Sequence, residues 1–155
     1  MILRRLADAD LDALFEWERE PGAVQMAAFT RPDPSDRASF DAHYQRSRRD
    51  PSVRLRAVDD GGGLVGTVAS FMMDGHREIC YWIDPARWGE GLASAALGEF
   101  LRIETARPLF ARVAEHNTGS ATVLARAGFT QIGFETSFAD GIGRDVVECI
   151  YELGR

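Results

Sequence analysis

Cysteine, histidine and long apolar runs are all scarce in this chain. Its 155 residues include two cysteines and three histidines. Cys80 and Cys149 each fall inside an apolar stretch that reads as a strand, so two buried thiols are expected rather than a disulfide or a metal site. No stretch of roughly 18 uncharged apolar residues is available to span a bilayer. Residues Met1 to Asp12 carry Asp8, Asp10 and Asp12 where a signal peptide would need an apolar run, so a cytoplasmic protein with no membrane partner is expected. Concentrated positive charge is missing too: the net charge is −6. The one cluster, Arg46, Arg48 and Arg49, ends a predicted helix where the dipole favours cations. Duplex nucleic acid is therefore a poor partner, whereas an acidic surface suits a cationic ligand such as an amine. With no internal repeat and no low-complexity linker, residues 1–155 should form a single domain able to bury a core of its own.

What is present is a change of period along the chain. Met1 to Leu6 suits a short strand, and Leu11, Leu14 and Phe15 predict a helix near 10 to 19, capped by Asp8 or Asp10. Pro21 to Asp36 mixes apolar residues with three prolines and reads as loops that could shape a pocket, followed by a polar helix from Ser35 to Arg49. From Val53 the runs VRLRAVDD, LVGTVASFMMD and HREICYWID, separated by turns at Gly61–Gly63 and Gly75, predict three antiparallel strands. Pro85 ends the third. After a glycine turn, Ala93, Ala96, Leu97, Phe100 and Ile103 form one apolar stripe of a helix. The strand LFARVA and a helix capped by Asn117 come next, and Phe129 to Leu153 reads as two strands around a turn at Asp140 to Gly143. The sum is a mixed α/β domain with helices on the faces of one sheet.

Two segments carry chemistry. In YWIDPARWGEGLASAAL a strand feeds a turn containing Gly89 and Gly91 that opens into a helix. Such a turn sets free backbone N–H groups at the positive end of a helix dipole, where phosphates bind, and glycine admits a pyrophosphate without a Cβ clash. In EHNTGSATVLARAGF, residues 115 to 129, Asn117 can cap a helix that Gly128 ends, with Ser120 three residues after the cap.

The order of these pieces resembles the GNAT superfamily of N-acetyltransferases, and within it the RimJ and RimL type that modifies ribosomal-protein N-termini. The marks are Y-W-I-D-P at 81 to 85, W-G-E-G-L-A at 88 to 93, and N-x-x-S with L-A-R-A-G-F between 117 and 129. The resemblance implies a mostly antiparallel sheet of about seven strands flanked by helices and splayed to hold coenzyme A. It implies acetyl-CoA as the acyl donor, no metal, and an amine acceptor, either a small molecule or a protein N-terminus. The family's pyrophosphate loop, Q/R-x-x-G-x-G/A, falls on Trp88, Gly89, Glu90, Gly91, Leu92 and Ala93, with Ser94 next. Trp88 departs from Gln or Arg, as in many members of the RimJ and RimL branch, and Arg87 could supply a charge to a phosphate. By the same resemblance the backbone of Trp82 and Ile83 pairs with the pantetheine arm, Asn117 hydrogen-bonds it, and many relatives form homodimers, with the terminal hairpin a plausible contact.

Acetyl transfer by direct attack needs a neutral amine and a donor for the leaving thiolate. The tyrosine that many members use falls here on Leu124, and Ser120 is the residue the RimL-like branch uses instead. An alcohol is a weak acid, so Ser120 should stabilise the thiolate by a hydrogen bond rather than protonate it. Strand alternation puts His76, Glu78, Cys80 and Trp82 on one face and Arg77, Ile79, Tyr81 and Ile83 on the other. Glu78 is the first candidate base, with His76, Glu115, His116 or a water chain as alternatives. The acceptor pocket is expected from residues 21 to 36, the strand with Met72 and Met73, and the loop from Phe138 to Ile142. Two further readings stand beside this one: an acyl-CoA-binding regulatory module without activity, and nicotinamide binding, since Gly89 to Ser94 approximates G-x-G-x-x-G/A with Glu115 ending the next strand.

Overall fold

The computed structural model describes residues 1–154. One seven-stranded sheet runs through it in the order β1-β2-β3-β4-β5-β7-β6. The strands are β1 (Ile2–Arg4), β2 (Arg54–Asp59), β3 (Leu64–Met73), β4 (His76–Ile83), β5 (Leu109–Ala114), β6 (Thr130–Ala139) and β7 (Arg144–Leu153). The helices are α1 (Leu11–Arg19), α2 (Pro21–Ala27), α3 (Arg37–Arg49), α4 (Leu92–Phe100) and α5 (Thr118–Arg126). Every neighbouring pair is antiparallel except β4 with β5, which α4 joins as a parallel crossover.

The two faces carry different cores. On one, Val58, Val68, Ile79, Leu109, Ala111 and Val113 pack against Leu97 and Phe100 of α4 and Leu124 of α5. On the other, Ala57 meets Leu14, Phe15, Phe40 and Tyr44 of α1 and α3. Each fully buried Leu or Phe is worth roughly 2 kcal/mol against exposure, which fixes the helices and so the loops at their ends.

Local chemistry accounts for where the elements differ from the sequence reading. α3 begins at Arg37, not Ser35, because the Asp36 carboxylate accepts the Ser39 N–H at 3.0 Å as the cap. Asp10 does not cap α1; it accepts from the Ala7 N–H at 2.7 Å and pairs with Arg4 at 2.8 Å. The stretch read as loop after Pro21 opens with α2: Glu20 accepts from Gly22 and Ala23 N–H at 3.0 and 2.7 Å, and Pro21 supplies the first helical turn. Ile103 falls beyond the end of α4 and is exposed. α5 closes as expected at Gly128 (φ +98°), where Phe129 N–H bonds the Leu124 carbonyl at 3.0 Å and Gly128 N–H that of Ala125 at 3.1 Å. Both cysteines are free, and only Cys149 is buried. Cys80 keeps an exposed side, contrary to expectation, while burial of the rest, with Glu18 and Glu78 nearby, pushes its thiol up to about 12. No helix among the described residues is long and apolar enough to cross a membrane.

Candidate active site

The parallel pair at the centre of the sheet is short. β4 and β5 are in register only at Arg77 with Leu109 and Glu78 with Phe110. Beyond these residues the strands part, and Ile79 to Ile83 of β4 run on with no ladder on the β5 side. Unpaired strand edges in a domain interior call for another partner. A cavity of about 460 Å³ occupies this region, walled by Tyr81, Trp82 and Ile83 of β4, by Trp88, Gly89 and the first turn of α4 through Ser94, by Asn117, Ser120 and Arg126 from α5 and its cap, and by Met26 of α2.

One end of the cavity is made of backbone. Gly89 and Gly91 adopt φ +84° and +79°, a conformation costly for residues bearing a Cβ. Gly91 stands at the N-cap of α4 and has no side chain to satisfy the first N–H groups of the helix. A Cβ built on either glycine meets nothing within 4 Å, so these glycines serve backbone conformation and leave the space before the helix open to an anion. Trp88 holds the loop down by donating its indole N–H to the Ile83 carbonyl at 3.1 Å. Arg87 is tied to Glu90 at 2.9 Å and Asp60 at 3.1 Å, so its charge is already matched. Arg126, which the sequence reading passed over, lines the cavity and has no hydrogen bond or ion pair among the described residues. Only its position on the last turn of α5 could have singled it out.

The middle of the cavity is made of side chains. Asn117 caps α5 through Oδ1, which accepts the Ser120 N–H at 3.2 Å, so its Nδ2 hydrogens are the part left for a ligand. The Ser120 hydroxyl lies 2.6 Å from the Tyr81 hydroxyl, which also reaches the Ser120 carbonyl at 3.3 Å. Burial pushes Tyr81 up to about 12, and its hydroxyl contact with Ser120 opposes the rise. Leu124, where many relatives carry a tyrosine, is fully buried in the core and presents nothing to the cavity. The Trp82 indole N–H is buried without a partner. The Trp82 carbonyl turns onto Gly66 of β3, so on the free side of β4 the backbone is presented by Ile83 and, by alternation, Tyr81.

Glu78 and Glu90 stand outside this cavity lining. Glu78 is buried on the far face of β4, 3.3 Å from Arg112 Nε, and Arg112 also meets Glu135 and, at 3.5 Å, Glu148. Burial raises the pKa of both Glu78 and Glu148, and Arg112 opposes the rise. His116 gives its Nε2 to the Gln25 carbonyl at 2.7 Å, a link from the α5 cap to α2. Because a carbonyl only accepts, Nε2 carries the proton there. His76 stacks edge-on against Phe110 at 4.9 Å at the far end of β4. The expected acceptor-side segments do meet in part: Gly141 N–H bonds the Ala28 carbonyl at 3.1 Å, and Ala28, Ala114, Ala139 and Val146 pack together beside Phe29 and Ile142. Met72 and Met73 do not join them; both are exposed beside the β3–β4 turn.

A sheet parted between two parallel strands, with a glycine turn and an uncapped helix at the mouth, defines a site shaped for an extended ligand that carries an anion at one end. The family described as Acetyltransferase (GNAT) domain matches residues 1–130. Among solved structures, the chain is similar to spermidine N-acetyltransferase from Vibrio cholerae in complex with CoA and spermine, at 21% identity and TM-score 0.79, covering 97% of this chain and 93% of that one. It is also similar to a phosphinothricin acetyltransferase from Sinorhizobium meliloti in complex with AcCoA (19%, 0.79, 99% and 87%). A third is the ribosomal-protein-alanine N-acetyltransferase from Brucella melitensis (19%, 0.75, 100% of both chains). No curated protein sequence matches significantly. The chain belongs to the GNAT acetyltransferase family and is an acyltransferase of that fold. The nicotinamide reading loses its scaffold, since the glycine turn sits in a sheet with a single parallel pair.

Proposed function

We propose that the protein transfers the acetyl group of acetyl-CoA to a primary amine, of a small molecule or a protein N-terminus, by direct attack within a ternary complex. The observation that carries this reading is the gap between β4 and β5, with Gly89, Gly91 and the open N-terminus of α4 at its mouth and Ser120 inside it. In this reading the N–H groups of Leu92, Ala93 and Ser94 hold the pyrophosphate, and Arg126 adds a cation to the phosphates. The pantetheine arm lies along the free side of β4 at Tyr81 and Ile83, with Asn117 donating to it.

The acceptor enters from the opposite face, where Glu78 stands. Glu78 takes one proton of the attacking ammonium, the neutral amine adds to the thioester carbonyl, the adduct nitrogen gives its second proton to water, and the C–S bond breaks with the electron pair leaving on sulfur. Ser120 donates a hydrogen bond to that thiolate. Trp88 and Ser120 together favour the RimJ and RimL branch. The exposed Ile132, Phe134 and Phe138 on the edge strand β6 favour a homodimer through the terminal hairpin.

Calorimetric titration with acetyl-CoA, CoA and NADH tests the donor site without an acceptor. Binding of the first two and not the third is expected, followed by acetyl transfer in a screen of amines that includes spermidine and an alanine-led peptide. Binding of NADH alone, or of nothing, would overturn the reading. Binding of acetyl-CoA with no transfer to any amine would favour a regulatory module.

A further inference from the structure

We infer that Tyr81 is the positioning residue that turns Ser120 into an effective hydrogen-bond donor to the leaving thiolate. This inference rests on the assignment of Ser120 above. The two hydroxyls lie 2.6 Å apart, one from β4 and one from α5, on opposite walls of the same cavity. Each hydroxyl has one hydrogen, so the direction of the bond decides what the site can do. If Ser120 donated to Tyr81, its proton would be spent and none would face the sulfur. A phenol is the stronger acid and an alcohol the better acceptor, so Tyr81 donates to Ser120 and the serine hydrogen is left for the ligand. The Ser120 carbonyl, 3.3 Å from the same phenol oxygen, competes for that one hydrogen, and the hydroxyl at 2.6 Å is the nearer acceptor.

As charge develops on sulfur, the Ser120 O–H polarises toward it, and the Tyr81 O–H polarises toward Ser120 in turn; donors in such a chain strengthen one another. Burial, together with Cys80 and Tyr151, holds Tyr81 protonated, up to about 12. That lies above the ~8.5 of a cysteine thiol and leaves the phenol the weaker acid of the two, so no proton crosses the chain. The thiolate leaves as a hydrogen-bonded anion and is protonated afterwards by solvent. Tyr81 thus supplies, from the strand, the phenol that Leu124 does not supply from α5.

The ionisation of bound CoA, followed through the ultraviolet absorbance of its thiolate, reads this chain directly and needs no acceptor. In the wild-type complex the thiol pKa should lie below that of free CoA. Tyr81→Phe should raise it by about one unit, the equivalent of one net hydrogen bond, with calorimetry run alongside to set CoA above its dissociation constant in each variant. Ser120→Ala should raise it at least as far, and the double variant should match Ser120→Ala alone, because Tyr81 acts only through Ser120. A 3-fluorotyrosine placed at 81, more acidic and nearly the same size, should lower the value instead, and this arm remains informative if Tyr81→Phe folds poorly. If Ser120→Ala shifts the thiol and neither change at Tyr81 does, the inference about Tyr81 falls and the role of Ser120 stands. If Ser120→Ala leaves the thiol where the wild type has it, both fall together. A penalty for Tyr81→Phe that persists in the Ser120→Ala background would reduce Tyr81 to packing.

Discussion

Gly66 of β3 lies against Trp82 of β4 so closely that a Cβ at 66 would sit 2.1 Å from the Trp82 carbonyl oxygen and 2.9 Å from Ile83 Cδ1. Backbone cannot yield as a side-chain tip can, so any larger residue at 66 must displace the end of β4 that walls the cavity. Gly66→Ala should therefore cost about 1–3 kcal/mol of stability, typical of overpacking, or a melting temperature lower by several degrees. It should also weaken acetyl-CoA binding about tenfold, one step of 1.4 kcal/mol. Differential scanning calorimetry and titration check the two halves. Loss of stability with undiminished affinity would mean that the Trp82–Ile83 segment does not contact the donor.

Conformation and charge can be separated at Gly91. Its φ of +79° penalises any Cβ, yet the added atom would enter open space, and Asn tolerates the left-handed region better than most residues. Gly91→Asn should thus bind acetyl-CoA within a few-fold of wild type. Gly91→Asp, the same size with a negative charge before the helix, should bind at least tenfold more weakly, and the gap between the two should narrow as salt rises. Equal binding by the two variants would remove the phosphate from this end of the cavity.

Asn117 carries a structural and a ligand role on different atoms. Its Oδ1 caps α5, and its amide hydrogens are what remains for the pantetheine arm. Asn117→Asp keeps a capping oxygen and removes those donors, so it should melt near wild type while losing acetyl-CoA affinity. Asn117→Ala loses both, with about 1 kcal/mol of stability. Parallel thermal melts and titrations distinguish them; unchanged affinity in the Asp variant would leave Asn117 a cap alone.

The order of elements was readable from the sequence because its signals are local: glycines at left-handed turns, Pro85 ending β4, the period-2 runs of the meander. The parting of β4 from β5 is not local. It depends on where parallel register stops, after Glu78 and Phe110, and neither strand announces that in its own residues. α2 was missed because Pro21 and Gly22 were read as breakers, although Glu20 before Pro21 is a cap followed by a favoured first residue. Asn117 and Ser120 stood out by spacing, whereas the contact of Ser120 with Tyr81, 39 residues earlier, is a product of packing alone. The loops assigned to the acceptor met across α2 and the β6–β7 turn, but Met72 and Met73 lie with the opposite hairpin.

Acid stability should follow two buried carboxylates. Arg4 holds Asp10 below its ordinary pKa, against the cost of burial. Glu104, buried beside Ser70 and Arg77, is likewise lowered, those hydrogen bonds outweighing a burial that acts to raise it. A group with a lower folded than unfolded pKa stabilises the fold above the unfolded value, about 4 here, and loses that contribution as pH falls through the folded value. Denaturant midpoints should therefore drop below about pH 4. Asp10→Asn should be less stable than wild type at pH 7 and nearly equal to it at pH 2–3; a deficit independent of pH would assign the loss to packing.

Glu78 provides the opposite sign. Burial raises its pKa while Arg112 restrains the rise. If Glu78 accepts the proton of the incoming amine, only its ionised form works, and the acidic limb of kcat/KM should lie above the ~4.3 of an ordinary glutamate. Arg112→Gln removes the cation that favours the carboxylate, so the limb should move to higher pH. Glu135 and Glu148, which share Arg112, push in the same direction once their partner is gone. Glu78→Gln should abolish the limb and lower kcat/KM by about 10²–10⁴, the usual worth of a general base, with acetyl-CoA binding unchanged because Glu78 stands outside the donor cavity. A rate profile on any accepted amine settles the matter: a limb that stays in place in both variants belongs to the amine itself, and the proton then leaves by water.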